Sequence, residues 1–185
     1  QLNERLIRLV QSSSASIYVD TIISPSFKTA VGQIVQIPGI SGMENNGILF
    51  EFFEEENHEI TEIIDGCHFA GIVGFNICIL RCSERRFGYR KNIHIWLTPG
   101  DYQNANLMIL LGYIISGHAE WKESQIELFA AFNRESMEQE VERLNELIIR
   151  GRIPISLTNV NKIPLRKEIR FDELVNEYSE SSDLV

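Results

Sequence analysis

Thr98-Pro99-Gly100-Asp101 follows a predicted strand and precedes an apolar helical run. Backbone amides at such a turn can hold a phosphate or another anion. One glycine does not make a phosphate loop, and the sequence contains neither a GxGxxG nor a GxxxxGK[ST] run. The plainer reading is a strand-to-helix turn with Asp101 as its cap, and both readings stay open. Cys78 and Cys82 lie four apart on a predicted strand, which separates their side chains by roughly 13 Å, too far for one zinc ion. Cys67 and His68 point in different directions on a predicted helix. Glu54, Glu55, Glu56 and Glu59 lack the spaced Asp/Asn/Gly pattern of a calcium loop and read as a solvated helix start. His58, His68, His94 and His118 are scattered, with none in a recognisable catalytic motif. His94 alternates with Ile93 and Ile95 and is expected to face a helix or a partner. His118 ends an apolar helix, where a cation suits the dipole. No catalytic residue, metal site or cofactor is expected.

The elements that would position these residues alternate between strand and helix. Asn92 to Phe132 reads as strand (Ile93–Leu97), loop, apolar helix, turn and strand (Gln125–Ala131), a unit of a parallel sheet. Before it come a short amphipathic helix over Leu2–Gln11, broken at Ser12–Ser14, and a buried strand over Ile17–Ile23. A helix follows, capped by Ser24 with Pro25 in its first turn, carrying Phe27, Val31, Ile34 and Val35 and stopped by Pro38-Gly39. Gly39–Gly47 is a loop and Ile48–Phe53 a strand. A helix from about Glu59 to Gly74 buries Ile60, Ile63, Ile64, Cys67, Phe69 and Ile72, and Asn76–Arg81 is a strand. Beyond the central unit, Asn133 caps a helix with Met137, Val141, Leu144, Leu147 and Ile148 on one face, ending at Gly151. Pro154–Leu157 is a short strand, Asn159–Arg170 a polar loop and Phe171–Tyr178 a helix. Ser182–Val185 reads as the start of a further strand, cut off by the chain end.

The expected fold class is therefore α/β, with mostly parallel sheets and helices on both faces. The polar, basic stretch Ser83–Asn92 marks a boundary. It divides the chain into a first half, 1–88, incomplete at its N-terminus, and a second half, 89–185, incomplete at its C-terminus.

Bulk properties narrow the function classes. The chain has 185 residues, 44% of them hydrophobic and 23% charged, the composition of a folded globule. A net charge of −9, with Arg81, Arg85, Arg86, Arg90 and Lys91 as the densest basic group, argues against nucleic acid as a partner. Three clustered cysteines do not make a disulfide framework and suit a reducing compartment. The longest apolar run, Ala105–Gly117, is shorter than the roughly 20 residues of a membrane span, so no direct membrane insertion is expected.

Several blocks resemble the C-terminal cytoplasmic domain of the cation-chloride cotransporters. Ile93-His94-Ile95-Trp96-Leu97 is similar to the family's I-D-V-W-W strand, and Leu107–Ile115 to its L-x-L-L-x-P-Y-L-L helix. Trp121-Lys122 matches a Trp-Lys pair, and Ile126-Glu127-Leu128-Phe129 an I-R-V-F strand. Ile169–Ser179, with Arg170, Glu173 and Leu174, resembles I-R-L-N-E-L-L-x-E-H-S, and Ser182–Val185 corresponds to the strand that follows. Gly39, Met43 and Asn46 match a G-L-G-x-M-x-x-N-T block. The blocks fall in order over most of the chain.

The resemblance implies two universal-stress-protein-like halves in a non-catalytic regulatory and dimerisation domain. It would lie on the cytoplasmic side of the cell membrane, beneath a transmembrane transport domain of the same polypeptide, and pair with itself as a homodimer. The chain departs from the pattern in three places. His94 stands where Asp is usual, the Thr98–Gln103 turn lacks a double glycine, and the 159–170 connection is short, as in a compact prokaryotic version. The alternative is a nucleotide-sensing module of universal-stress type with Thr98, Gly100 and Asp101 at the phosphates. Against it, Phe52 stands where the third glycine of that family's G-x2-G-x9-G motif belongs.

Overall fold

The computed structural model describes residues 2–11, 18–39, 43–53, 60–150, 160–166 and 168–185. It divides into two compact units, Gln1–Glu84 and Arg85–Val185.

The first unit contains α1 (Leu2–Gln11), α2 (Phe27–Ile34), β1 (Gly47–Phe53), α3 (Ile60–Ile72) and β2 (Asn76–Cys82). β1 and β2 pair in parallel, Ile48 opposite Ile77 and Phe50 opposite Ile79. Val31 of α2, Phe50 of β1 and Ile63 of α3 form the buried centre, with Ile48, Phe52, Cys67, Phe69 and Ile77 around it. Three expectations fail in this unit.

The β-branched run ending at Ile23 forms no strand in its described part, residues 18–23, and Ile23 is 97% exposed. Strand propensity without a neighbouring ladder does not make a strand. The helix cap is Ser26, not Ser24. Ser26 Oγ accepts the Thr29 amide at 3.2 Å, and Ser24 Oγ donates to the Ser26 carbonyl. Pro25 therefore precedes the cap instead of opening the helix. On α3, Ile63, Gly66 and Ala70 are buried while Ile64 and Ile72 face outward. Ile72 lies about two and a half turns from Ile63 and so on the opposite side. The expected elements at Ser12–Ser14, Glu54–Glu59 and Pro154–Leu157, and Gly42 of the loop, lie outside the described residues.

The second unit runs β3 (Asn92–Leu97), α4 (Ala105–Ser116), β4 (Gln125–Phe132), α5 (Met137–Arg150), β5 (Val160–Pro164) and α6 (Phe171–Ser179). Its strands are parallel in the order β3-β4-β5. Leu184 bridges in parallel to Ile93. Side-chain alternation sorts the strands onto two faces. Ile93, Ile95, Leu97, Leu128, Ala130 and Phe132 meet Ala105 and Ile109 of α4 and Val141, Leu144 and Ile148 of α5. On the other face Trp96, Phe129, Ala131 and Ile163 meet Leu174 of α6. This is an α/β fold with helices on both faces of a parallel sheet.

β5 occupies part of the stretch expected to be a polar loop. Its backbone is satisfied by the outer edge of β4, Ile163 is buried, and Asn161 Nδ2 donates to Glu127 Oε2 at 3.1 Å. Pairing outweighed composition there. Asn133 does not cap α5: a turn over 134–136 intervenes, and the first helical bond runs from the Glu140 amide to the Ser136 carbonyl. Gly112 lets α4 lie close on β3, since a Cβ there would sit 2.9 Å from Ile95 Cδ1.

Candidate functional site

The polar atoms of the second unit converge beneath α6. β3 is buried over Ile93–Leu97, including His94 at 6% exposure and Trp96 at 7%. A polar side chain on such a strand requires a partner. His94 Nδ1 lies 2.9 Å from Ser179 Oγ, and Trp96 Nε1 donates to the same oxygen at 3.0 Å. Ser179 is itself buried, in the last turn of α6. The Trp96 ring stacks on Phe129 at 4.7 Å and meets Phe171 and Tyr178 edge-on. The face His94 meets is thus α6. Burial lowers its pKa below the ordinary imidazole value, opposed by Glu127, whose Oε1 is 4.0 Å from Nε2, and by Asp183.

Asp183 makes the second convergence. Its Oδ1 accepts the Tyr89 amide at 2.9 Å and its Oδ2 the amides of Lys91 at 2.6 Å and Asn92 at 3.1 Å. Arg85 Nη2 donates to Oδ1 at 2.9 Å. Burial alone would raise this carboxyl's pKa; the three amides and the guanidinium outweigh it and hold the group below the usual carboxylate range. Gly88 sits at φ +47°, and a Cβ there would run into Asp183 Oδ1. The carboxylate therefore ties the residues that enter β3 to those that leave α6. Sequence reasoning singled out neither Ser179 nor Asp183 as a polar anchor. Both lie within the matched blocks, but their partners are far away in sequence, beyond the reach of periodicity.

At the turn after β3, Asp101 Oδ2 accepts the Thr98 amide at 2.8 Å and the Thr98 hydroxyl at 2.6 Å. Pro99–Asp101 forms a 3-10 turn, and α4 begins only at Ala105. A carboxylate thus already sits against the amide that an anion would use, and Gly100 is exposed. Farther round, Tyr102 donates to the Glu140 carboxylate at 2.8 Å while Arg143 lies over its ring at 4.7 Å. Burial, then that hydrogen bond, push the Tyr102 phenol well above its ordinary pKa.

The remaining block residues have structural surroundings. Trp121 is buried and meets Phe87 edge-on at 5.8 Å. Arg170 caps α6, its amide facing Glu173 Oε2 and its guanidinium held by Asp172. Leu174 packs beneath it. A Cβ on Gly39 would meet the Met43 carbonyl, Met43 is exposed, and the Asn46 carbonyl accepts the Asn76 amide at 2.8 Å. His118 does not end α4, which stops at Ser116. Its Nδ1 instead accepts the Glu120 amide and caps the 3-10 turn Ala119–Trp121.

Among the described residues no three His, Cys, Asp or Glu side chains are grouped to hold a metal ion, and no helix is long and apolar enough to cross a membrane. What the second unit presents is a parallel α/β scaffold with a buried polar and aromatic seam. The family model for Solute carrier family 12 matches residues 85–185, more than half of the chain and the whole second unit, so the chain belongs to that family, the cation-chloride cotransporters.

Proposed function

We propose that this chain is a cytoplasmic regulatory and dimerisation domain of a cation-chloride cotransporter, C-terminal to the transport domain, itself non-catalytic and outside the ion pathway. The observation that carries the reading is the coincidence of the family match with a compact α/β unit, Arg85–Val185, in which no helix among the described residues is long and apolar enough to cross a bilayer. In a transporter family such a unit acts on transport by making different contacts with different transporter states. α4 supports a pairing role. It carries no charged residue, and Leu107, Leu110 and Ile114 are exposed along it at 39%, 55% and 61%. A helix apolar all round is a helix that something covers. The occupied turn at Thr98–Asp101 gives the nucleotide-sensor alternative no support.

Two measurements test the reading. Light scattering on the isolated chain is expected to give a dimer mass at micromolar concentration. Ion flux through the reconstituted parent transporter is expected to change when the unit is deleted. A monomer at all concentrations would remove the dimerisation role. Unchanged flux and ion affinity after deletion, with the transporter still folded, would remove the regulatory one.

A further inference from the structure

We propose that His94, Ser179 and Trp96 form a proton-released latch that holds α6 on the sheet. It stands independently of the transporter reading. Trp96 Nε1 can only donate, so Ser179 Oγ accepts from it. Ser179 has one hydroxyl hydrogen, and His94 Nδ1 is the acceptor within reach. The closed arrangement therefore needs Nδ1 bare and the proton on Nε2, which points toward Glu127.

Protonation of His94 puts a hydrogen on Nδ1 as well. Three donors then converge on one pair of atoms, and the Ser179 hydroxyl loses its acceptor in a buried site. The groups facing the ring do not cancel this. Glu127, from β4, is 4.0 Å away and 44% exposed, and one of its oxygens is taken by Asn161 of β5. Asp183, from the segment after α6, is occupied by three amides and Arg85. α6 turns a hydroxyl toward the ring, not a carboxylate, and β3 contributes the Trp96 indole.

Charging His94 is thus easier once α6 has lifted, and proton uptake is coupled to opening. Opening carries away Leu174, Phe171 and Tyr178 and uncovers Trp96 and Phe129, an aromatic face on an otherwise covered sheet. The latch is closed above the free histidine value of about 6.5 and loosens below it.

The test is a pH titration of the whole chain from 7.5 to 5. Nuclear magnetic resonance follows the His94 ring. Amide exchange, corrected for its intrinsic pH dependence, gives the opening constant of α6. Below pH 6.5 that constant is expected to rise by up to tenfold per pH unit, with α4 and α5 unchanged, until His94 titrates in the closed form. His94→Gln is expected to abolish the rise. Ser179→Ala is expected to move the His94 titration up toward its ordinary value, which a merely packed serine would not do. A flat α6 profile in the native chain overturns the latch, as does a rise shared equally by α4 and α5. An unchanged rise in His94→Gln, or a His94 titration unmoved by Ser179→Ala, also overturns it. Should His94→Gln not fold, the comparison of α6 with α4 and α5 in the native chain still decides.

Discussion

Replacing Asp183 by alanine should weaken the second unit by about 3 kcal/mol, and replacing its ion-pair partner should do little. Asp183 accepts three backbone amides, each bond to a charged acceptor contributing about 1.5–3 kcal/mol when buried. Tyr89 and Lys91 are exposed, so water can satisfy part of what the substitution leaves open, which brings the total down to about 3 kcal/mol. The Arg85 side chain is 45% exposed, and a pair of that kind contributes less than about 1 kcal/mol. Arg85→Ala should therefore cost about 0.5 kcal/mol. Trp96 and Trp121, the two tryptophans, both lie in the second unit, so urea unfolding followed by indole fluorescence reads that unit directly. The carboxyl's pKa is depressed in the folded state. Its contribution is thus fully present above the unfolded value of about 3.9 and is lost as pH falls through the lower folded value. Asp183→Asn should flatten this acid limb. Equal losses for Arg85→Ala and Asp183→Ala, or a loss under 1 kcal/mol for Asp183→Ala, would refute the assignment of the energy to the backbone amides.

Gly112→Ala sets a helix-propensity gain of up to about 1 kcal/mol against an overpacking cost of about 1–3 kcal/mol at Ile95, for a net loss near 1 kcal/mol in denaturant unfolding. In an Ile95→Val background, which removes the methyl it would strike, the same change should be neutral or stabilising. Gly88→Ala should cost at least about 2 kcal/mol, from the left-handed φ of +47° and the contact with Asp183, and less once Asp183 is already alanine, when the backbone cost of about 1–2 kcal/mol remains. Calorimetry with millimolar ATP should show no binding heat, because Asp101 holds the Thr98 amide; a saturable heat abolished by a Thr98 substitution would contradict this.

The strands and helices of the second unit were legible because their side-chain periods match their burial. Ile93, Ile95 and Leu97 alternate, and Val141, Leu144 and Ile148 recur at helical spacing. β5 was hidden because Asn161 and Lys162 read as loop, while its stability comes from β4's outer edge. The cap at Ser26 was hidden because two serines, Ser24 and Ser26, flank Pro25 and either can serve, and only the geometry of Thr29 chooses between them. The seam beneath α6 was half visible: His94 stands out on an apolar strand, where a helix or a partner is the expected neighbour. That the partner is Ser179, and that Asp183 closes on Tyr89, Lys91 and Asn92, depends on contacts over more than eighty residues. No local pattern encodes such contacts.

The tie from Asp183 to the entrance of β3 also bears on how the unit folds. Strands joined by crossover helices can pair in sequence as the chain emerges, each within reach of the last. The amides of Tyr89, Lys91 and Asn92 must instead wait for a carboxylate that follows them by 94, 92 and 91 residues. Closing so large a loop is slow but adds only about 0.6 kcal/mol of entropy for each doubling of its length, most of which is already spent if α4, α5 and α6 have docked. The first strand to be synthesised in this unit is thus the last to have its edge completed, and until then its buried sequence is the one most exposed to wrong partners.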